Sequence, residues 1–177
     1  MLNKELLEQQ LMELPLFQYA FMKTEELTFT ERVRHICREE CPRYGTTWAC
    51  PPAVGAVDSC KAQCLAYPEM LMISTVTEVN DIENVEETLN TRGDHEEITR
   101  QVADLLKQQG CELRVLSTES CAICEECSYP DGPCRHPDLM FPCVESQGIL
   151  VTEICEKYGM EFFNGNIVTW FSLILYR

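Results

Sequence analysis

Twelve cysteines stand in a chain of 177 residues, and the spacing of four of them suits metal. Cys121, Cys124 and Cys127 follow one another at intervals of three, and Cys134 comes after six intervening residues, between Pro133 and Arg135. Three thiolates at that interval can wrap round the corners of an iron-sulfur cubane, and a fourth arriving from a nearby turn completes four-cysteine ligation. Pro130-Asp131-Gly132-Pro133 has the composition of such a turn. The likeness to bacterial ferredoxins is partial. There the fourth cysteine follows sooner and serves another cluster, whereas Cys134 is placed to return to the same site. Zinc also takes four thiolates, but its sites more often join two separated pairs than three closely spaced ligands. The neighbours Glu125, Glu126 and Asp131 count against four merely buried thiols. Arg135 and His136 sit beside Cys134, close enough to influence a cluster's potential rather than to ligate it.

The second constellation is Cys37-x3-Cys41, then Cys50-Pro51-Pro52, then Cys60-x3-Cys64. A spacing of four puts each pair on one helical face, where both thiols can reach one metal. The Cys-Pro-Pro turn offers a further ligand, so five candidates compete for four positions. Cys111 and Cys155 lie beside or inside apolar patterns, Cys143 is ambiguous, and all three are left out of the ligand sets. His35 reads as a polar loop residue, and Arg92-Gly93-Asp94-His95 as a helix break. There is no Gly-rich phosphate loop, no HExxH motif and no three-cysteine signature of a radical enzyme.

The elements that position these loops follow from periodicity. Leu2, Leu6, Leu7, Leu11 and Leu14 predict a helix over residues 2–14, stopped by Pro15. Phe17, Tyr19 and Phe21 alternate as in a strand. Short helices are expected over Val33 to Cys37 and Asp58 to Leu65. Met70 to Val79 is an apolar, β-branched run that suits a central strand buried on both faces. Asn80 and Glu83 form a capping-box pattern opening a helix with Ile82, Val85 and Leu89 on one face. Thr91 to Asp94 interrupts that helix, Ile98, Val102, Leu105 and Leu106 resume the stripe, and Gly110 caps it. Glu112 to Thr118 is a strand. Val151, Ile154, Cys155 and Tyr158 predict a helix ended by Gly159, Asn164-Gly165 a hairpin turn, and Ile167 to Tyr176 a final strand with Trp170 and Phe171 on opposite faces. The fold class is α+β: about four main strands in one sheet, flanking helices, and two cysteine-rich metal-binding loops at about 37–64 and 121–143. Residues 1–177 read as a single metal-binding domain in which both loops can meet at one end of the core.

Composition sets the surroundings. The chain is 45% apolar, with runs such as Met70-Leu71-Met72-Ile73, so it does not need the staples of a small secreted scaffold. Lys4, Glu5 and Glu8 break up the amino terminus, unlike a signal peptide. No run of about eighteen apolar residues suggests a membrane span, and the cytoplasm is the expected compartment. A formal charge of -15 opposes binding to nucleic acid or anionic lipid, both of which are held mainly by Lys and Arg. The acidity fits a solvated surface or a docking face for a basic partner.

The residues also resemble a bacterial and archaeal family of cytoplasmic, cysteine-rich predicted metal-binding proteins. The likeness covers most of the chain. It is carried by the stretch from Cys37 to Gly45, by Trp48-Ala49-Cys50-Pro51-Pro52-Ala53-Val54-Gly55, and by Cys60-Lys61-Ala62-Gln63-Cys64. Further on it is carried by Cys121 to Cys127, Tyr129-Pro130-Asp131, Pro133-Cys134-Arg135-His136-Pro137, Glu145, Gly148-Ile149 and Asn164-Gly165. The resemblance implies metal, with Cys121, Cys124, Cys127 and Cys134 as one ligand set and the earlier cysteines as another. It implies no particular reaction.

The leading expectation is an electron-transfer protein holding one or two [4Fe-4S] clusters and docking onto a redox partner. A zinc-stabilised binding module is the first alternative. A cluster-dependent enzyme or a metal-delivering maturation factor is the second, and catalysis is not the favoured reading.

Overall fold

The apolar alternation resolves into one antiparallel sheet. The computed structural model describes residues 2–163 and 165–177. Its strands are β1 (Gln18–Lys23), β2 (Glu69–Glu78), β3 (Leu113–Leu116) and β4 (Ile167–Tyr176), in the order β1-β2-β4-β3. Ile73 lies opposite Tyr19 on one side and Ser172 on the other, and Ile174 opposite Leu71 and Val115. β2 is internal, and Met70 to Thr75 are all buried, as expected for a strand covered on both faces.

Alternation then sorts the side chains into two cores. Met70, Met72, Leu116, Phe171, Leu173 and Leu175 face one way, against Cys64 of α3 (Val57–Leu65) and Ile154 of α6 (Val151–Tyr158). Leu71, Ile73, Val115, Ile174 and Tyr176 face the other, against Leu7 and Leu11 of α1 (Lys4–Leu11) and Val102, Ala103 and Leu106 of α5 (Arg92–Gln108). Trp170 and Phe171 fall in separate clusters, as their adjacency demands. The class is α+β, with helices on both faces of one sheet. No helix among the described residues is long and apolar enough to cross a membrane.

The helix boundaries depart from expectation for local reasons. α1 is shorter than the predicted 2–14, beginning after Asn3, whose side chain accepts the Leu6 N–H at 3.1 Å. α2 (Glu31–Glu40) is longer than predicted, because Thr30 caps it by accepting the Arg32 N–H at 3.2 Å. The capping box expected at Asn80 and Glu83 is not the one that forms. Asn84 caps α4 (Val85–Asn90), accepting the Glu87 N–H at 3.2 Å, while the Glu87 carboxylate reaches back to accept from the Asn80 backbone and side chain, both at 2.7 Å. The break between α4 and α5 falls at Thr91, so Arg92 and His95 belong to the first turns of α5 and both are buried. Gly110 (φ 84°) follows α5 and Gly159 (φ 63°) ends α6, as predicted. Of the predicted hairpin turn, Asn164 lies outside the described residues, and the sheet neighbours of β4 are β2 and β3 rather than a preceding hairpin strand.

One glycine is fixed by both conformation and space. Gly148 has φ 78°, and a Cβ there would meet both methyls of Val57 at 3.0 Å and the Thr30 carbonyl oxygen at 3.1 Å. The Gly148 carbonyl also accepts the Thr30 N–H at 2.8 Å, at the start of α2. Gly148→Ala is therefore expected to destabilise the protein by about 2 kcal/mol, combining left-handed strain with crowding. A lowered urea midpoint at unchanged m-value would show it.

Candidate metal centre

The second cysteine loop leaves the end of β3 and is closed at its base. The Ser117 N–H donates to the Pro142 carbonyl and the Val144 N–H to the Ser117 carbonyl, both at 2.9 Å. α5 grips the loop near both ends. Arg92 Nε donates to the Thr118 carbonyl at 3.1 Å, and Arg100 donates to the Leu139 carbonyl at 2.8 Å with its guanidinium 4.3 Å over the Phe141 ring. Glu96 lies between these two arginines, at 2.5 Å and 2.7 Å. Inside the loop, the predicted turn forms: the Gly132 N–H donates to the Ser128 carbonyl at 2.8 Å, and Ser128 Oγ to the Pro133 carbonyl at 2.7 Å.

That turn returns Cys134 to the first three thiols. Cys121, Cys124, Cys127 and Cys134 line one small cavity, walled on the protein side by Trp48 and Met140. All four are half-buried and none is in a disulfide. Cys124 and Cys127 also border an open depression with Glu125 and Glu126, so this edge of the cavity meets solvent. Arg135 and His136 line both spaces, and Arg135 donates to the Glu126 carbonyl.

The first cysteine loop lies against the second. Trp48 Nε1 donates to the Gly132 carbonyl at 3.1 Å and its ring meets Tyr129 edge-on at 5.1 Å. Thr47 and Ser120 share a buried hydroxyl hydrogen bond of 2.9 Å. Folding thus brings both loops to one region. Cys37, Cys41 and Cys50 line a larger cavity of about 540 Å³ between α2 and β4, and Cys143 lines it with them. Cys60 and Cys64 do not line it. Cys60 is buried, its thiol donating to the Val54 carbonyl at 3.3 Å with Arg34 3.5 Å away. Cys64 is part of the apolar core, as is Cys155, and Cys111 packs at the edge of the opposite core.

The family model for "Predicted metal-binding protein" (DUF2284) matches residues 20–176, which takes in both cysteine loops and most of the sheet. The chain belongs to that family. No curated protein and no solved structure matches it.

The family description calls for metal, and the cysteine-lined cavity of this DUF2284 protein offers thiol donors for it. Soft sulfur donors select zinc, copper(I) and iron-sulfur clusters, and here they surround cavities. Among the described residues no three His, Cys, Asp or Glu side chains are set to hold a single metal ion. One ion would have to draw three or more thiols inward to about 2.3 Å each. Burial raises the Cys121 thiol, and burial with the neighbouring Cys41 pushes Cys37 up to about 11. Cys143 rises well above its ordinary value, mainly through burial and secondarily beside Glu145. Without metal, these three thiols are protonated at neutral pH.

Sequence reasoning left out Cys143. Its position is set by contacts far along the chain, and the local spacing of one cysteine carries no sign of them. The nearest available signal was Glu145, two residues on.

Proposed function

We propose that this protein holds a [4Fe-4S] cluster on Cys121, Cys124, Cys127 and Cys134 and serves as an electron carrier or electron-transfer subunit in the reducing cytoplasm. The observation that carries this reading is that four cysteines in cluster spacing line one cavity, with Trp48 and Met140 on its wall and an open depression at its edge. Such a cluster accepts and returns a single electron. The chain's own residues divide the remaining work. Trp48 and Met140 supply apolar wall to the cavity, and α5, through Arg92 and Arg100, fixes the ends of the loop. Arg135 and His136 offer cationic or hydrogen-bonding groups near the sulfurs, the feature by which a protein shell tunes potential.

The exposed Glu125 and Glu126 beside Cys124 and Cys127 continue the acidic surface of a chain charged -15. A redox partner with a basic face would be drawn to this edge, and its association would weaken with salt.

Protein purified without oxygen is expected to show a broad visible absorption that bleaches on reduction with dithionite and returns on reoxidation. A colourless, redox-silent protein carrying zinc would assign the same thiols to a structural role instead.

A further inference from the structure

Cys143 is held beside the first cysteine loop by its backbone. Its N–H donates to the carbonyl of Ala49 at 3.3 Å, next to Cys50, and its other flank makes a parallel bridge with Ser117. The thiol donates to Glu145 Oε2 at 2.9 Å, which fixes the side chain on the wall of the larger cavity. Cys37 and Cys41 reach that wall from the end of α2, one helical turn apart, where the Cys41 N–H donates to the Cys37 carbonyl at 3.2 Å. Three separate stretches of chain therefore deliver four thiols to one cavity. Arg34 locks two of these stretches together, donating to the Ser146 and Gly55 carbonyls, both at 2.6 Å.

Cys60 and Cys64 have different surroundings. Each is 0% exposed, Cys60 bonded to a backbone carbonyl and Cys64 enclosed by the apolar core. Bringing either to the cavity would require α3 to be pulled out of its packed position, with loss of buried apolar contacts. Cys143 already lines the cavity, together with Cys37, Cys41 and Cys50.

We propose that Cys37, Cys41, Cys50 and Cys143 form a second, complete four-thiolate metal site, and that Cys60 and Cys64 are packing residues. The set supplies the ligation of a [4Fe-4S] cluster. That identity of the metal group rests on the iron-sulfur reading above, whereas the choice of ligands rests on the cavity alone. Ile36, Phe162 and Phe171 give the surrounding walls apolar surface.

The test uses the full chain prepared without oxygen, with iron, zinc and acid-labile sulfide counted per chain in the wild type, Cys143→Ser, Cys41→Ser, the double variant and Cys60→Ser. The wild type is expected to hold about eight iron and eight sulfide, and Cys143→Ser, Cys41→Ser and the double variant about four each. Cys60→Ser should keep the full complement. The iron retained on Cys121, Cys124, Cys127 and Cys134 reports that each variant has folded; Cys143→Ala replaces the serine variant if that iron is lost too. A Cys143→Ser protein with undiminished metal would overturn the assignment, as would a loss of half the metal from Cys60→Ser alone. If the wild type holds zinc without sulfide, the iron-sulfur reading falls, yet halved zinc in Cys143→Ser would still uphold the ligand set.

Discussion

Cys124→Ser is expected to remove about four iron and four sulfide per chain, the content of one four-cysteine cluster, while the secondary structure survives. Cys124 is half-buried in the outer part of its loop and borders both the inner cavity and the open depression. The sheet does not depend on it. The loop is closed at its base by Ser117 and Val144 and gripped from α5 by Arg92 and Arg100, none of which involves the cysteines. Far-ultraviolet circular dichroism should therefore be nearly unchanged while the visible band falls. The same loss is expected from Cys127→Ser, and combining the two should remove no further iron, since both serve one cluster. Unchanged metal in either variant would contradict the assignment of the loop.

His95→Ala is expected to lower stability by about 3 kcal/mol, since it deletes a buried side chain and leaves hydroxyl partners unpaired. His95, in the first turns of α5, is 0% exposed, with Nδ1 2.8 Å from Thr75 Oγ1 and Nε2 2.8 Å from Ser172 Oγ. Thr99 Oγ1 joins at 2.9 Å from Ser172 Oγ. Burial, helped by the charge of Arg92, pushes the imidazole down from 6.5 to about 4, against a smaller opposing effect of the Phe171 backbone. The unfolded chain takes up this proton near 6.5 and the folded chain only near 4, so between those values the unfolded state binds more protons. The contribution is complete above pH 6.5 and is lost as the pH falls toward about 4. The loss reaches about 3 kcal/mol. Urea unfolding from pH 7 to 4 should show this slope in the wild type and a flatter one in His95→Ala; equal slopes would show that His95 titrates alike in both states.

Glu26 extends the acid sensitivity downward. Its hydrogen bond from Lys157 is the main cause holding its carboxyl down at about 2 rather than 4.5, with the Lys23 N–H and the Tyr158 hydroxyl adding to it. That contribution is present above 4.5 and is lost as the pH falls toward 2.

The parts of the fold that could be read in advance are those where local pattern and tertiary environment agree. β2 and β4 are largely apolar along most of their length because both faces of the sheet are covered, and the period of two assigns their side chains to opposite cores. The turn at Pro130 to Pro133 was legible because it is made by neighbours in sequence. The start of α4 was misplaced because Asn80 and Asn84 both satisfy a local capping pattern. The choice is made at long range, where Asn166 accepts the Ile82 N–H at 3.3 Å and donates to the Asn80 carbonyl at 2.8 Å. His95 reads as part of a helix break until its partners are known. Its signal was the presence of Thr75 and Ser172 inside otherwise apolar strands, polar groups that burial obliges to pair.

The candidate site divides along the same line. Cys121 to Cys134 announce themselves by spacing, since one loop supplies all four. The other cavity gathers cysteines from Cys37 to Cys143, and only the fold shows which thiols meet there. α3 presents Cys60 and Cys64 at the same helical spacing as Cys37 and Cys41, and burial alone separates the two pairs.

The most direct test of the central claim is the iron, zinc and acid-labile sulfide content of the wild-type chain purified without oxygen. Near-equal iron and sulfide, at about four or eight of each, is the predicted result. Zinc at about one or two per chain with no sulfide would contradict it and leave these cysteines as a structural scaffold.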